Sequence, residues 1–377
     1  MQSRRSRCSG NWRKSVRFVD EFRDAALARM LARRIAAAST RPAQLMEFCG
    51  SHTHALLRYG IRDMLPPTIT MKSGPGCPVC VTSAHDIDVA IAIAMTPGTI
   101  VATYGDLVKV PGTRGSLERA RAAGADVRVV YSALDAIAIA EQNPARQLVL
   151  IGIGFETTAP TVAASVVTAS RKSLRNYRVL SLLKLTPPVM TALLQRGEIR
   201  IDGIICPGHV SVITGTEPYR VIPVRFGVGC VISGFEPLDM LRAIDLLVEQ
   251  IQCGSPAVAN AYERAVSDRG NEVARGLIDR VFTSCDAEWR GLGTVPDSGL
   301  ALRPEYDGFD AAAVYHPDIE GSVDPAGCRC GDVLRGSISP QECALFGTTC
   351  TPECPVGPCM VSHEGACAAH FAYSAGT

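Results

Sequence analysis

The chain has almost no net charge: 38 lysines and arginines stand against 37 aspartates and glutamates, a formal +1. That balance gives no bulk electrostatic case for binding nucleic acid. Long apolar runs are also missing. Val89 to Met95 is among the longest, well short of the ~20 residues that span a bilayer, so no membrane role is expected. The basic N-terminus leads into no apolar segment of the secretory kind, and a cytoplasmic location is expected. In that compartment thiols stay reduced unless they are redox-active or bind metal. The odd total of 15 cysteines argues against a structural disulfide framework as well.

The length, 377 residues, suggests two or three domains. Compact β-branched runs at Thr99 to Thr103, Val127 to Tyr131 and Leu148 to Ile153 have the texture of buried parallel strands. Shorter strands are expected at Leu45 to Phe48 and Thr68 to Met71. Helical stretches at Ser83 to Met95, Ser116 to Ala123, Ala133 to Glu141 and Thr161 to Lys172 separate them. The pattern then restarts, with strands at Val179 to Leu183, Gly203 to Cys206, Tyr219 to Val224 and Cys230 to Ser233. Helices open on prolines at Pro187 and Pro237. The tripeptide Gly154-Phe155-Glu156 recurs as Gly234-Phe235-Glu236, either a mark of related halves or a chance match. An α/β fold of two related parallel-sheet domains follows. The expected divisions are a basic segment and helix at 1–44, the first α/β domain at 45–175, the second at 176–290 and a cysteine-rich domain at 291–377. In the first of these, Arg4, Arg5, Arg7, Arg13 and Lys14 form a basic tip that also carries Cys8. Phe22, Leu27, Met30, Leu31 and Ile35 share one helical face over 20–38, and 268–283 suggests one more helix.

The cysteines are where the chemistry concentrates. Cys328, Cys330, Cys343, Cys350, Cys354, Cys359 and Cys367 all fall in the last fifty residues. Their open spacings lack the paired C-x2-C knuckles of a zinc ribbon and suit a four-thiolate cluster better. The surrounding tail has too few periodic apolar residues for an independent core, and bound metal would supply the missing folding energy. Cys77 and Cys80 form a C-x2-C in GPGCPVC. If the chain turns there into the Ser83 to Met95 helix, the helix dipole lowers a thiol pKa, as in redox-active pairs; half of a zinc knuckle is the alternative. Cys49, His52 and His54, in CGSHTH, are a competent donor set for iron or zinc. His85 is close enough in sequence to join them, although an ordinary surface role is simpler. Glu156, Thr157, Thr158 and His209 follow strands, and ligands bind at the carboxyl edge of a parallel sheet. Position 157 is Thr, so the G-x-G-x-x-G of a dinucleotide site is incomplete. Thr157 or Thr158 capping the next helix is the alternative to a cleft lining.

Taken together, CGSHTH at 49–54, GPGCPVC at 74–80, YGDLVKVPG at 104–112, GFETTAPT at 154–161, CPGHVSVI at 206–213 and the cysteine-rich tail at 328–367 resemble the hydrogenase maturation protein HypD family. The resemblance runs in order from about residue 45 to the end of the tail. It implies two similar α/β domains plus a [4Fe-4S] cluster domain. It implies a maturation scaffold with redox activity, rather than a freestanding enzyme, on which the Fe(CN)2CO unit of [NiFe]-hydrogenases is assembled. The small chaperone HypC shares the scaffold, and HypE brings cyanide. On this pattern Cys49 is the iron ligand, with His52 or His54 orienting it. Cys77 and Cys80 are a redox pair relaying electrons from the cluster. The cluster sits on Cys330, Cys343, Cys350 and Cys367, with Cys328, Cys354 and Cys359 as alternates. Cys354 and Cys8 lie outside the family pattern. Two other readings fit the residues: a ferredoxin-dependent thiol–disulfide reductase and a structural zinc-binding interaction protein.

Overall fold

The computed structural model describes residues 20–374. Cys8 and the basic tip from Arg4 to Lys14 lie outside the described residues. In chain order the strands are β1 Ala43–Glu47, β2 Ile69–Ser73, β3 Thr99–Thr103, β4 Asp126–Val129, β5 Gln147–Gly154, β6 Tyr177–Leu183, β7 Gly203–Pro207, β8 Gly229–Ser233, β9 Val258–Asn260, β10 Phe282–Trp289 and β11 Gly293–Leu302. They build a five-stranded sheet in the order β2-β1-β7-β8-β9, a four-stranded sheet in the order β4-β3-β5-β6 and a β10-β11 hairpin. Every pairing in the two larger sheets is parallel, and helices connect their strands. The α/β class with two parallel sheets agrees with the sequence reading.

Strand pairing cuts across a division at residue 175. β1 and β2 come early in the chain but pair with β7, with Leu45 opposite Gly203. β6 closes the four-stranded sheet beside β5. A Cβ on Gly203 would stand 2.9 Å from the Leu45 side chain and 3.0 Å from that of Leu247. Glycine here lets the helix Pro237–Cys253 settle on the sheet.

Two elements differ from expectation. Tyr219 to Val224 is not a strand: Glu217–Tyr219 is a 3-10 turn and Val221–Phe226 a short helix. Pro218 and Pro223 have no N–H to give a ladder, yet both fit a first helical turn, where that hydrogen would go unused. β10 and β11 form an antiparallel hairpin across the expected division at residue 290, and β11 falls where little regular structure was expected. The hairpin packs on β6, with Leu185 N–H donating to the Ser298 carbonyl at 2.8 Å.

The 20–38 stretch is broken by Asp24, whose carboxylate accepts from Ala26 and Leu27 N–H at 2.7 and 3.0 Å. That cap starts the helix Ala25–Ala38, which buries Ala28, Ala32 and Ile35 and leaves Leu27 and Met30 exposed. The small alanine face allows close approach to Pro237–Cys253, and an Arg34–Asp245 ion pair holds the contact. Phe22 lies off the helix, under the Arg264 guanidinium at 3.7 Å.

The tail has no core of its own. Cys330, Val333, Leu334, Cys350, Cys359, Met360 and Cys367 belong to one apolar cluster with Phe48, Cys77, Cys80 and the strands beneath them. Its folding therefore depends on the sheets, as its composition suggested.

Candidate functional site

The five-stranded sheet gathers its chemistry at its carboxyl edge. β1 ends at Glu47, and two residues later Cys49 heads the helix Gly50–Arg58 in extended conformation (φ −152°, ψ 124°). β2 ends at Ser73 and runs into Gly74-Pro75-Gly76-Cys77. The two loops lie side by side: Gly50 N–H donates to the Gly76 carbonyl at 3.1 Å, and Gly74 N–H to the Glu47 carbonyl at 2.8 Å. A Cβ on Gly76 would overlap the backbone of Phe48 and Cys49. That closeness explains the glycine between Pro75 and Cys77.

Cys77 and Cys80 are joined as a disulfide. They flank their own single turn, Pro78–Val81, with Cys77 at its N-cap. The longer helix begins separately at Ala84 behind Ser83, whose hydroxyl accepts from Asp86 N–H at 3.1 Å. The expected placement at that helix's N-terminus is thus replaced by a short turn of their own. Thr82 and Ser83, both extended, separate the two.

The tail folds back over this edge. A Cβ on Gly50 would overlap the Glu364 carbonyl. Ser51 Oγ donates to the Glu364 carboxylate at 3.4 Å, the His54 ring meets the His363 carbonyl, and Ser362 Oγ donates to Asp106 at 3.0 Å. Cys80 Sγ lies 3.8 Å from the carbonyl of Pro358, the neighbour of Cys359. Behind that contact is a small cavity lined by Cys328, Cys330, Cys343, Cys350, Cys359 and Cys367, closed by Val333, Leu345, Phe346 and Met360. Cys359 is central, with its sulfur 2.6 Å from that of Cys330 and in contact with Cys367. Cys354 is excluded from the cavity; it lines an open cleft with Lys109, Arg119 and Glu353. Among the described residues no three His, Cys, Asp or Glu side chains are arranged to hold a single metal ion. Thiols spread around an apolar cavity, with no acidic or imidazole donor among them, fit an iron–sulfur cluster in which each iron takes one thiolate.

The family HypD, described as "Hydrogenase formation hypA family", matches residues 26–374. The chain is 49% identical over 368 residues to hydrogenase maturation factor HypD2 of Bradyrhizobium diazoefficiens, covering 95% of this chain and 97% of that protein. It is 47% identical to hydrogenase maturation factor HypD of Rhizobium leguminosarum bv. viciae, over 95% and 96%. With hydrogenase maturation factor HypD of Escherichia coli the identity is 42%, over 95% and 98%. The chain belongs to the HypD family of hydrogenase maturation factors. Among the described residues, no helix is long and apolar enough to cross a membrane.

In this HypD-family chain the surroundings of Cys49 are buried and acidic. Burial first, then the negative charges of Glu364 and Glu47, push its thiol up to about 12. The first-turn amides of Ser51 and His52, pointing toward the head of the helix, work the other way. Glu47 is itself buried. Its carboxylate accepts from Cys49 N–H at 2.9 Å and from the Thr53 hydroxyl, and burial raises its pKa to about 8. Sequence reasoning missed Glu47 and Glu364. The available signal was an acidic residue inside the apolar run Leu45-Met46-Glu47-Phe48.

The two histidines of CGSHTH diverge. His52 is fully buried, with Nε2 3.2 Å from the Ser233 carbonyl and Nδ1 without a partner; burial lowers its pKa to about 4, so the ring is neutral. His54 turns toward the tail and meets Tyr373 edge-on. Phe235 lies between His52 (4.8 Å) and exposed His209 (3.9 Å), which brings CPGHVSVI to the same edge.

Glu156 sits on the other sheet. Its carboxylate accepts from Thr186 N–H at 2.8 Å and Thr186 Oγ at 2.9 Å, tying down the start of the helix Thr186–Arg196, and burial raises its pKa to about 7. Thr157 is exposed, and Thr158 heads the helix Ala159–Arg171 without capping it. His85 is half-buried in the first turn of Ala84–Ala94. In the tail, burial opposes ionisation of Cys330, but the Cys359 contact and the Arg290 charge bring its pKa below the ordinary thiol value.

Proposed function

We propose that the chain is a redox-active scaffold of hydrogenase maturation on which an Fe(CN)2CO unit is assembled as cargo. Cys49 holds the iron together with a thiolate from a HypC-like partner, and a HypE-like partner delivers cyanide. Soft thiolates suit electron-rich iron of this kind. The observation that carries the reading is the meeting of the Cys49 loop, the Cys77–Cys80 disulfide and the cysteine-lined cavity at one sheet edge. The names of the relatives support it. A cytoplasmic setting, where an exposed thiol stays reduced, suits this work.

Each group has a physical task. Cys49 must lose a proton to bind iron, and the metal's own charge drives that loss against burial. The amides of Ser51 and His52 stabilise the resulting thiolate. Neutral His52 offers Nδ1 as an acceptor beside the site, and His54 fastens the helix to the tail. The Cys77–Cys80 disulfide takes up two electrons and two protons to become a dithiol. Cys330, Cys343, Cys350 and Cys367, with Cys328 and Cys359 as alternates, would hold a [4Fe-4S] cluster, which supplies one-electron transfer when bound. His209, stacked on Phe235 beside His52, lines the approach from the edge of the five-stranded sheet.

The test is a reconstituted maturation system read by infrared spectroscopy. Cys49→Ser removes the bands of iron-bound CN and CO from the complex. The Cys77→Ser/Cys80→Ser pair stops maturation while tail iron is retained. Bands that persist in Cys49→Ser contradict the ligand assignment. Unchanged maturation in the double variant removes the dithiol step.

A further inference from the structure

The segment YGDLVKVPG takes no part in the chemistry described so far, yet one of its side chains reaches the tail. β3 ends at Thr103, and the chain then makes a 3-10 turn, Gly105–Lys109, that buries Leu107 and Val108. Both pack into the apolar cluster that holds Val101 of β3 and Val149 of β5. Asp106, between them and Gly105, therefore stands at a fixed point on the carboxyl edge of the four-stranded sheet.

Its partner is Ser362 of the tail, which is 2% exposed. The Ser362 hydroxyl donates to the Asp106 carboxylate at 3.0 Å and accepts from Glu364 N–H at 3.2 Å. A buried hydroxyl engaged both as donor and as acceptor is held in one orientation, so the position of Asp106 is passed on to Glu364. Gly365 N–H donates to the Ser362 carbonyl at 2.9 Å and closes residues 362–365 into a turn. That turn lies over the other sheet's site. The Glu364 carbonyl rests against Gly50, and the Ser51 hydroxyl reaches the Glu364 carboxylate at 3.4 Å. Cys49, the neighbour of Gly50, is only 7% exposed.

We propose that Asp106 is a positioning residue for Cys49: through Ser362 it latches the turn 362–365 as a lid over the thiol, and the latch opens before a partner's thiolate shares iron with Cys49. The part played by the partner rests on the reading of Cys49 as the iron ligand; the lid itself does not. A thiol this deeply covered has no space beside it for a second protein's ligand. A short turn held by side-chain hydrogen bonds lifts without unfolding the sheet below, as lids over binding sites do. The latch comes from the four-stranded sheet and the covered thiol belongs to the five-stranded one, so the lid is closed only while both sheets hold the tail.

The experiment is pulsed alkylation of the anaerobically purified full chain with iodoacetamide, each cysteine followed by peptide mass spectrometry. Asp106→Ala is expected to speed alkylation of Cys49 about tenfold, the scale of one lost buried hydrogen bond. Ser362→Ala should do the same, and the double variant should go no further, because both remove one latch. Asp106→Asn keeps an oxygen that accepts from Ser362 and should stay near the wild type. Cys206 and Cys230, fully buried on β7 and β8, report global unfolding and should not respond. If Asp106→Ala fails to fold, Ser362→Ala decides alone, since it removes a single oxygen. A Cys49 rate that ignores both latch variants, that rises equally in Asp106→Asn, or that rises only together with Cys206 and Cys230 overturns the lid while leaving the iron reading in place. Latch variants that expose Cys49 as expected, in a chain whose partner complex shows no infrared bands of iron-bound CN and CO, uphold the lid and overturn the iron reading.

Discussion

Cys49 and Cys330 are both buried, yet their surroundings carry opposite charge. Cys49 sits among carboxyls, Glu47 and Glu364, that oppose its ionisation. Cys330 sits beside Arg290, which favours it. The contrast suits two tasks. A thiol that stays protonated until metal arrives suits cargo that comes and goes, whereas a pre-stabilised thiolate suits a resident group. The acidic pocket is assembled from both ends of the chain, with Glu47 on β1 and Glu364 in the tail, so the tail helps set the chemistry of a residue more than 300 positions away.

The largest effect that would sharpen this contrast is expected at Cys350. Cys350→Ser strips most iron and sulfide from the tail and lowers thermal stability, because the cavity loses a buried ligand sulfur and the tail has no separate core. Metal analysis and a melting curve check this, and Cys49→Ser should leave tail iron unchanged in the same assay.

Next comes Gly50→Ala. Its methyl group has no room against the Glu364 carbonyl, and overpacking of this kind costs ~1–3 kcal/mol. The tail should lift from the Cys49 loop, and Cys49 in the reduced chain should alkylate faster. An unchanged alkylation rate would mean that the tail does not shield this thiol.

A smaller effect concerns pH. Folded Glu156 holds its proton up to about 7, against 4.5 as the ordinary value. The folded chain therefore binds more protons over that window, and this group's contribution to stability falls as pH rises through it. His52 and His370 act in reverse. Burial keeps them neutral down to about 4 against an ordinary 6.5, so their contribution grows as pH rises from 4 to 6.5. Glu156→Gln should be least stable relative to the wild type near pH 4.5 and gain on it toward pH 7, by at most ~1.4 kcal/mol per pH unit. Denaturant midpoints at several pH values measure the slope, and a flat difference contradicts the buried-carboxyl assignment. Smallest of all, Cys354→Ser should leave iron content unchanged, since that thiol faces an open cleft.

Much of the fold was legible in the sequence because buried parallel strands are nearly continuous apolar runs; β3, β5 and β8 fall almost where expected. Pairing was not legible. Nothing local in Leu45-Met46-Glu47 says that β7, some 150 residues away, will lie beside it. The run Tyr219 to Val224 misled because Val and Ile favour strands, while the decisive fact was two prolines unable to donate to a ladder. Inside β10 exposed residues alternate with half-buried ones, only Phe282 and Trp289 at its ends being buried, and a half-solvated hairpin is easily read as polar loop. The cysteine-rich tail stood out at once, but which sulfurs share a space depends on folding. Cys359 and Cys354 both looked like alternates, and only Cys359 lines the cavity with Cys330. The repeated Gly-Phe-Glu hid a difference in use: Phe155 stacks on Trp289 in the core, while Phe235 separates two histidines at the candidate site.

The most direct measurement is an iron and acid-labile sulfide count on the full chain, purified and kept without oxygen. The account predicts about four of each per chain, with a brown colour that disappears in Cys350→Ser and persists in Cys354→Ser. A colourless chain carrying neither iron nor sulfide would contradict it.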